Sequence, residues 1–589
     1  MTIFWVFVYL VIVAFLGYLG YRHTKGASDY LVAGRRVHPF IMALSYGATF
    51  ISTSAIVGFG GAAGVFGMGL LYLTFLNIFV GIFIAFVFFG KRTRRMGYHL
   101  DAHTFPEFLG RRFQSPFVQK FAGIIIFLFM PLYAAVVLIG AAKYIEQQFA
   151  IDYATALLFF TLIVAVYVIM GGLKGVMYTD AFQGSIMAIG MLTLIIFTYY
   201  DLGGIIKSHA DLTVLTPPPP LAAKGHMGWT SMPALGSDFW WTLVSTIIMG
   251  VGIGVLAQPQ LVVRFMTVKS NRELNRAVAI GGIFILLMTG VAFTSGALSN
   301  VWFTKNEKGV KYCEISGAIL EVCPGKKVVK IDEKNIEKFK AQFKDIKPGD
   351  EIDLHKGIPH KETTKGSLAI VAAGGVVENI IPQFVKQAMP HWFAVLFMLT
   401  LLAAAMSTLS SQFHAMGTAI GRDFYMQILK DKKAAEERSV FINKMGIGVT
   451  ILVSLTLAYF LPVIYSKGEA IIARGTSIFF GLCAGTFLPA YISALYLKRI
   501  TKAGVVAGML SGFTVAFFWL VFVLEKEAMA IGLCQALFGK PTLLSSPWTM
   551  VDPMFISFPT SLVVTLVVSL FTKKLPEEHV THCFQGLEK

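Results

Sequence analysis

The chain has 589 residues, of which 56% are hydrophobic and only 14% charged, with 51 Phe. That balance excludes a soluble multidomain protein, because one apolar stretch after another reaches the ~20 residues that cross a bilayer as helix. The formal net charge of +17 does not point to nucleic acid, since the basic residues fall in short loops beside the apolar stretches, as membrane topology dictates.

In chain order, spans are expected at 3–21, 40–64, 68–90, 118–147, 153–171, 176–200, 238–262, 276–303, 391–420, 439–463, 470–497, 504–525 and 553–571. The first has no basic segment before it and no small-residue cleavage site after it, so it reads as a retained helix. Basic clusters follow the first, third, seventh, ninth, eleventh and last spans: Arg22 to Arg36, Lys91 to Arg95, Arg264 to Arg276, Arg422 to Arg438, Lys498 to Lys502, and Lys573 with Lys574. All land on one side, which puts the N-terminus outside, the C-terminus inside, and the chain in the plasma membrane as an all-α multi-pass protein.

The second span carries Ser45-Tyr-Gly-Ala-Thr-Phe-Ile-Ser-Thr-Ser-Ala55 and then Gly58, Gly60, Gly61 and Gly64. Small residues here serve close helix packing, or else mark an unwound segment whose freed carbonyls face a cavity and coordinate a cation. Gly58-Phe-Gly-Gly-Ala-Ala63 matches a dinucleotide fingerprint formally, but no strand precedes it. Asp180 enters the membrane with the sixth span. It either complements the helix dipole or, as a carboxylate at membrane depth, supplies the negative charge a hard ion needs. The seventh span is also interrupted by glycines, five spans after the second. Interruptions at matching places in two halves point to a transporter's midplane site, and an odd offset gives the halves opposite topology.

The polar stretch 304–366 holds 14 Lys and 11 acidic residues on the outer side, which long loops tolerate. Its turn signals and short β-prone runs suggest a small folded insert with strands. Cys313 and Cys323 share it and would form a disulfide or remain free thiols; five cysteines in all are too few for a disulfide scaffold. Residues 367–389 read as a helix along the outer surface. In the ninth span, Ser407, Thr408, Ser410 and Ser411 crowd five positions behind three alanines. Hydroxyls in hydrocarbon need partners: carbonyls of their own helix, or a cation. Ser407, Ser410 and Ser411 recur at i, i+3 and i+4 and share one face, with Thr408 on the next. His414 and Asn77 read as satisfied structural groups. Arg474 either snorkels to the interface or greets an anionic solute. Phosphate-loop, metalloprotease and nucleophile-elbow motifs do not occur, which leaves an enzymatic reading without a foothold.

Thr104-Phe-Pro-Glu-Phe-Leu-Gly-Arg-Arg-Phe113, Gly171-Gly-Leu-Lys with Tyr178-Thr-Asp180 and Gln183, Gln258-Pro-Gln-Leu-Val-Val-Arg-Phe265 and the ninth-span hydroxyls, in that order, resemble the sodium/solute symporter family over about residues 3–500. The resemblance implies a leucine-transporter-like core of two five-helix inverted repeats, about 40–200 and 238–497, that carries a small solute with Na+ and is no enzyme. It divides the chain into 1–37, 38–200, an external loop 201–237, 238–303, the insert 304–366, 367–497 and 498–589. It implies a sodium site made by the carbonyls of Ala48, Ile51 and Ala404 and the side chains of Ser407 and Thr408. It implies a candidate second site at Asp180, Ser407, Ser410 and Ser411. Phe50 stands where proline carriers have an aspartate, and Val251 and Val255 precede Gln258 where they have aromatic residues. With Ser52, Thr53 and Ser54 as donors, that pocket suits a small organic acid better than a sugar. A proton-coupled carrier or facilitator of the same fold, and a membrane sensor that does not transport, are the alternatives.

Overall fold

The computed structural model describes residues 2–22, 27–171, 173–306, 312–315, 319–322, 328–330, 351–353, 360–361, 368–428, 432–464 and 470–587. Each of the thirteen expected spans is helical. Among the described residues nine stretches are long and apolar enough to cross a membrane, ten if the bent pair Ile471–Thr486 and Leu488–Tyr496 counts as one. The smaller number arises because several apolar helices are short or interrupted.

Two interruptions matter most. Helix α1 (Pro39–Phe50) starts with Pro at N1, where the missing N–H is harmless. It ends at Ile51, whose backbone turns extended (φ −93°, ψ 100°), and the chain resumes helically as a π turn, Ser54–Phe59. Hydroxyl side chains compete for the backbone here: Ser52 Oγ accepts from Ser54 N–H at 3.1 Å, while Thr53 Oγ1 donates to Val137 O at 2.8 Å. Later, the apolar stretch Asp238–Ala257 stops at Gln258 (φ −72°, ψ 116°). Pro259 disfavours a helical residue before it and then serves as the first residue of a new short helix. The signature Thr104-Phe-Pro-Glu forms helix α2 (Phe105–Arg112), with Thr104 as N-cap accepting from Glu107 N–H at 3.1 Å.

Helix α3 (Leu173–Asp201) turns one face into the core and leaves Ile189, Leu192 and Ile196 exposed on the other, and helix α4 (Pro259–Phe265) is the segment after the second break. Helix α5 (His391–Thr418) continues through the π turn Ala419–Phe424 and carries the hydroxyl cluster. α3 packs against both α1 and α5, and α4 touches α1, α2 and α5. At Gly190 a Cβ would collide with the Thr400 side chain, so glycine is what lets α3 and α5 approach so closely.

The insert contains antiparallel strands as expected: β1 (Tyr312–Ile315) pairs with β2 (Ile319–Val322) and β5 (His360–Lys361), and β3 (Val328–Lys330) pairs with β4 (Glu351–Asp353). Cys323 lies outside the described residues, and with it the pairing to Cys313. The helix expected over 367–389 is instead three pieces, Ala369–Ala372, the 3-10 turn Val377–Asn379 and Ile380–Ala388. Gly374 and Gly375, at φ +66° and +78°, account for the break, since left-handed backbone does not continue a helix.

Candidate functional site

The first group of expected residues comes together where α1 ends. Ser407 Oγ donates to Ala48 O at 2.9 Å and to Ala404 O at 3.2 Å; Thr408 Oγ1 reaches Ala48 O at 3.3 Å and Thr49 O at 3.1 Å. The N–H groups that would close on Ile51 O in a continuing helix go elsewhere: Ser54 N–H binds Ser52 Oγ, and Ala55 N–H binds Ser52 O at 3.0 Å. Ile51 O therefore stands outside the helical ladder. All five residues are buried. Carbonyl and hydroxyl oxygens gathered in this way suit a hard monovalent cation.

The second group is arranged differently. Asp180 Oδ2 accepts from Ser45 Oγ at 2.9 Å, Thr49 Oγ1 at 3.3 Å and Arg264 Nη2 at 2.9 Å. Arg264 Nη2 also donates to Ser411 Oγ at 2.6 Å and Thr49 Oγ1 at 2.5 Å, and Arg264 Nε donates to Ser45 Oγ at 3.0 Å. Ser411 Oγ in turn donates to Ser407 O at 3.1 Å. Ser410 does not join this group: its hydroxyl donates back to Ser407 O at 3.0 Å, satisfied within its own helix. Arg264 is the main correction to the reading of the charge pattern. Counted there with a loop cluster, it is wholly buried on α4, because the helix that starts at Pro259 runs back into the core. Ser45 and Thr49, one turn apart on α1, were also missed as site residues. Their i, i+4 spacing was the available signal.

The expected solute-lining residues Ser52, Thr53, Ser54, Val251, Val255 and Gln258 are all buried. Thr53 is turned to Val137 O, Ser54 Oγ has no partner, and Gln258 Nε2 donates to Gly254 O at 3.3 Å. Phe50 and Val255 both close on Gly81, which keeps this region apolar. Arg474 does not snorkel or wait for an anion: it is held bidentately by Glu527, at 2.7 Å to each carboxylate oxygen. Asn77, read as satisfied, leaves Oδ1 without a partner.

A cavity runs from Arg264 and Ser411 past His414 and Thr418 to Thr104 and Asp423. At its far end Asp423 Oδ1 accepts from Thr104 Oγ1 at 2.7 Å and Gln119 Nε2 at 2.9 Å, and Arg422 forks onto Glu107 at 3.0 and 3.1 Å. Burial alone would raise the Glu107 carboxyl, but hydrogen bonding with His103 and the charges of Arg422 and Arg111 outweigh it and hold the group well below the usual carboxylate range.

A family model described as the sodium:solute symporter family matches residues 30–311 and 361–512. The unmatched stretch between them falls in the insert. The chain is 27% identical to a protein named sodium/proline symporter 2 of Staphylococcus saprophyticus subsp. saprophyticus, over 99% of this chain and 94% of that one. It is 26% identical to a sodium/proline symporter of Staphylococcus aureus strain JH9, over 96% and 92%. In three dimensions it resembles a Na+-coupled sialic acid symporter solved in a substrate-bound outward-open state, with a TM-score of 0.64 at 17% identity over 97% of this chain and 98% of that one. At that identity the likeness establishes the fold.

Proposed function

The chain belongs to the sodium:solute symporter family, and from that premise we propose that it imports a small organic solute by coupling it to inward sodium movement through alternating access. The observation that carries the reading is the convergence of the Ser407 and Thr408 hydroxyls on the Ala48 carbonyl at the break of α1. In this proposal Na+ takes those oxygens together with the Ile51 and Ala404 carbonyls and bridges α1 to α5, bracing the outward-open state. Its release lets the broken helices re-pack and the solute leave. Any factor by which sodium tightens solute binding applies equally in reverse.

The chain is a multi-pass membrane transporter rather than an enzyme. The orientation we propose, with thirteen crossings, the N-terminus outside and the C-terminus inside, follows from the basic clusters. For the solute we propose a small organic acid held among Ser52, Ser54, Val251, Val255 and Gln258. The names of the Staphylococcus relatives make proline the first compound to test. Phe50, Val251 and Val255 favour a compact, partly apolar solute over a sugar.

Uptake into proteoliposomes under a sodium gradient, with choline as the replacement cation, tests the coupling. We expect accumulation that collapses in choline; undiminished uptake would overturn sodium coupling in favour of a proton-coupled carrier or facilitator. A thermal-shift screen of proline, small carboxylates and sugars, with and without sodium, identifies the solute class.

A further inference from the structure

The segment after the last span folds back onto the inner face. Val580, Cys583, Phe584 and Leu587, at i, i+3, i+4 and i+7 along helix α6 (Glu577–Phe584) and the turn after it, pack against the core. Glu577, Glu578 and Gln585 stay exposed on the other side. The hold of α6 falls on α2. His579 Nε2 donates to Arg112 O at 3.1 Å, and the Phe584 ring lies 5.0 Å from the Arg112 guanidinium carbon and 5.7 Å from Lys498 Nζ. Beneath that ring Arg112 is wholly buried, donating from Nε to Ala494 O and from Nη2 to Leu497 O, each at 3.1 Å. Those two carbonyls end the inner piece of the eleventh span, which bends by 42° at its break. His582 Nε2 donates to His99 O at 3.1 Å, tying in the helix Lys91–His99 that follows the third span.

We propose that α6 is a bolt on the cytoplasmic side: docked, it holds α2 in place and restrains the inward opening through which ion and solute leave. This rests on the alternating-access reading above. The first turn of α2, with its cap Thr104, lines the inner end of the cavity that starts at Arg264 and Ser411. There Thr104 Oγ1 donates to the buried Asp423 at 2.7 Å. An opening at that end has to part α2 from α5, and α6 grips the opposite end of α2. Two opposed effects make the grip reversible. Undocking exposes Phe584 and Cys583, 5% and 0% exposed when docked, which opposes release. It also brings water to Arg112 Nη1, a buried donor without a hydrogen-bond partner, which favours release.

Cys583 reports the state of the bolt, because a buried thiol is inert and an exposed one reacts. The purified full chain is treated with N-ethylmaleimide in sodium or in choline, and the Cys583 peptide is quantified by mass spectrometry. Sodium, by bracing the outward-open state, should slow the labelling severalfold. Phe584→Ala should label faster in both salts and should raise the initial rate of proline uptake into proteoliposomes. A packing contact alone gives the opposite, slower uptake together with a lower melting temperature. Equal labelling in the two salts, in a chain whose melting temperature sodium raises, overturns the proposal. So does a folded Phe584→Ala that carries proline no faster than a transporting wild type. Where Phe584→Ala fails to fold, or wild type carries no proline, the labelling decides. A chain that sodium neither stabilises nor drives would sink the coupling reading instead, and faster uptake by Phe584→Ala would still uphold the bolt.

Discussion

The Ser407 hydroxyl lies 2.9 Å from the Ala48 carbonyl, joining two residues 359 positions apart at the point where α1 stops being a helix. Neither group is unusual by itself. Their meeting is, because the break at Ile51 takes the local carbonyls out of the helical ladder while α5 brings hydroxyls to face them.

The first prediction follows from that meeting. Removing one of two side-chain oxygens from the proposed five-oxygen sodium site should weaken apparent sodium affinity about tenfold, roughly 1.4 kcal/mol. We expect this for Ser407→Ala and for Thr408→Ala in sodium-dependent uptake, whereas Ser410→Ala should behave as wild type, since Ser410 Oγ bonds only within its own helix. Equal effects at all three positions would contradict the assignment.

The buried pair of Asp180 and Arg264 leads to a second expectation. Asp180→Asn strands a buried guanidinium, which costs about 3–5 kcal/mol, so the purified variant should melt well below wild type. Combining it with Arg264→Gln should recover part of that loss, because the double variant leaves no uncompensated charge. Additive losses in a double-mutant cycle would argue that the two side chains do not act as a unit.

Glu107 sets a pH dependence. Its carboxyl is depressed in the folded chain by His103, Arg422 and Arg111 against the opposing effect of burial, so the folded state binds fewer protons than the unfolded one. The stabilisation is complete above the ordinary carboxylate pKa of ~4.3 and is lost as pH falls toward the depressed value. Melting temperature should be insensitive to this group from pH 7 to about 5.5 and decline below about 4.5. In Arg422→Gln that acid-side decline should shrink; an undiminished decline would assign it elsewhere.

Close approach of α3 and α5 gives the fourth prediction. Gly190→Ala places a methyl on the Thr400 side chain, and overpacking of this kind costs about 1–3 kcal/mol. Thermal unfolding should show the loss, and Thr400→Ala in the same chain should relieve it. Failure of that rescue would mean that the contact is not what limits the spacing.

Most of the helical architecture was legible in the sequence, because hydrocarbon forces each span to declare itself as an unbroken apolar run. The two interruptions were legible as well, through the glycines and hydroxyls after Phe50 and through Pro259. Arg264 was not. A basic residue after an apolar stretch carries the same signature whether it enters a loop or returns to the core, and only the course of α4 separates the two. The direction of Ser410 was hidden for a related reason: i, i+3, i+4 spacing gives a shared face but not the neighbour that face meets. Residues 367–389 misled because two glycines inside an otherwise helical pattern weigh little in a window, yet their positive φ values end the helix outright.

One consequence follows from Asp423. The helix that brings Ser407 and Thr408 to Ala48 carries, about four turns farther along, the carboxylate that accepts from the Thr104 cap and from Gln119. The oxygens of the proposed sodium site and the cap of α2 are therefore two ends of one shaft. A fluorescent reporter attached near Thr104 should register the arrival of an ion it never touches, turning a distant loop into a gauge of occupancy.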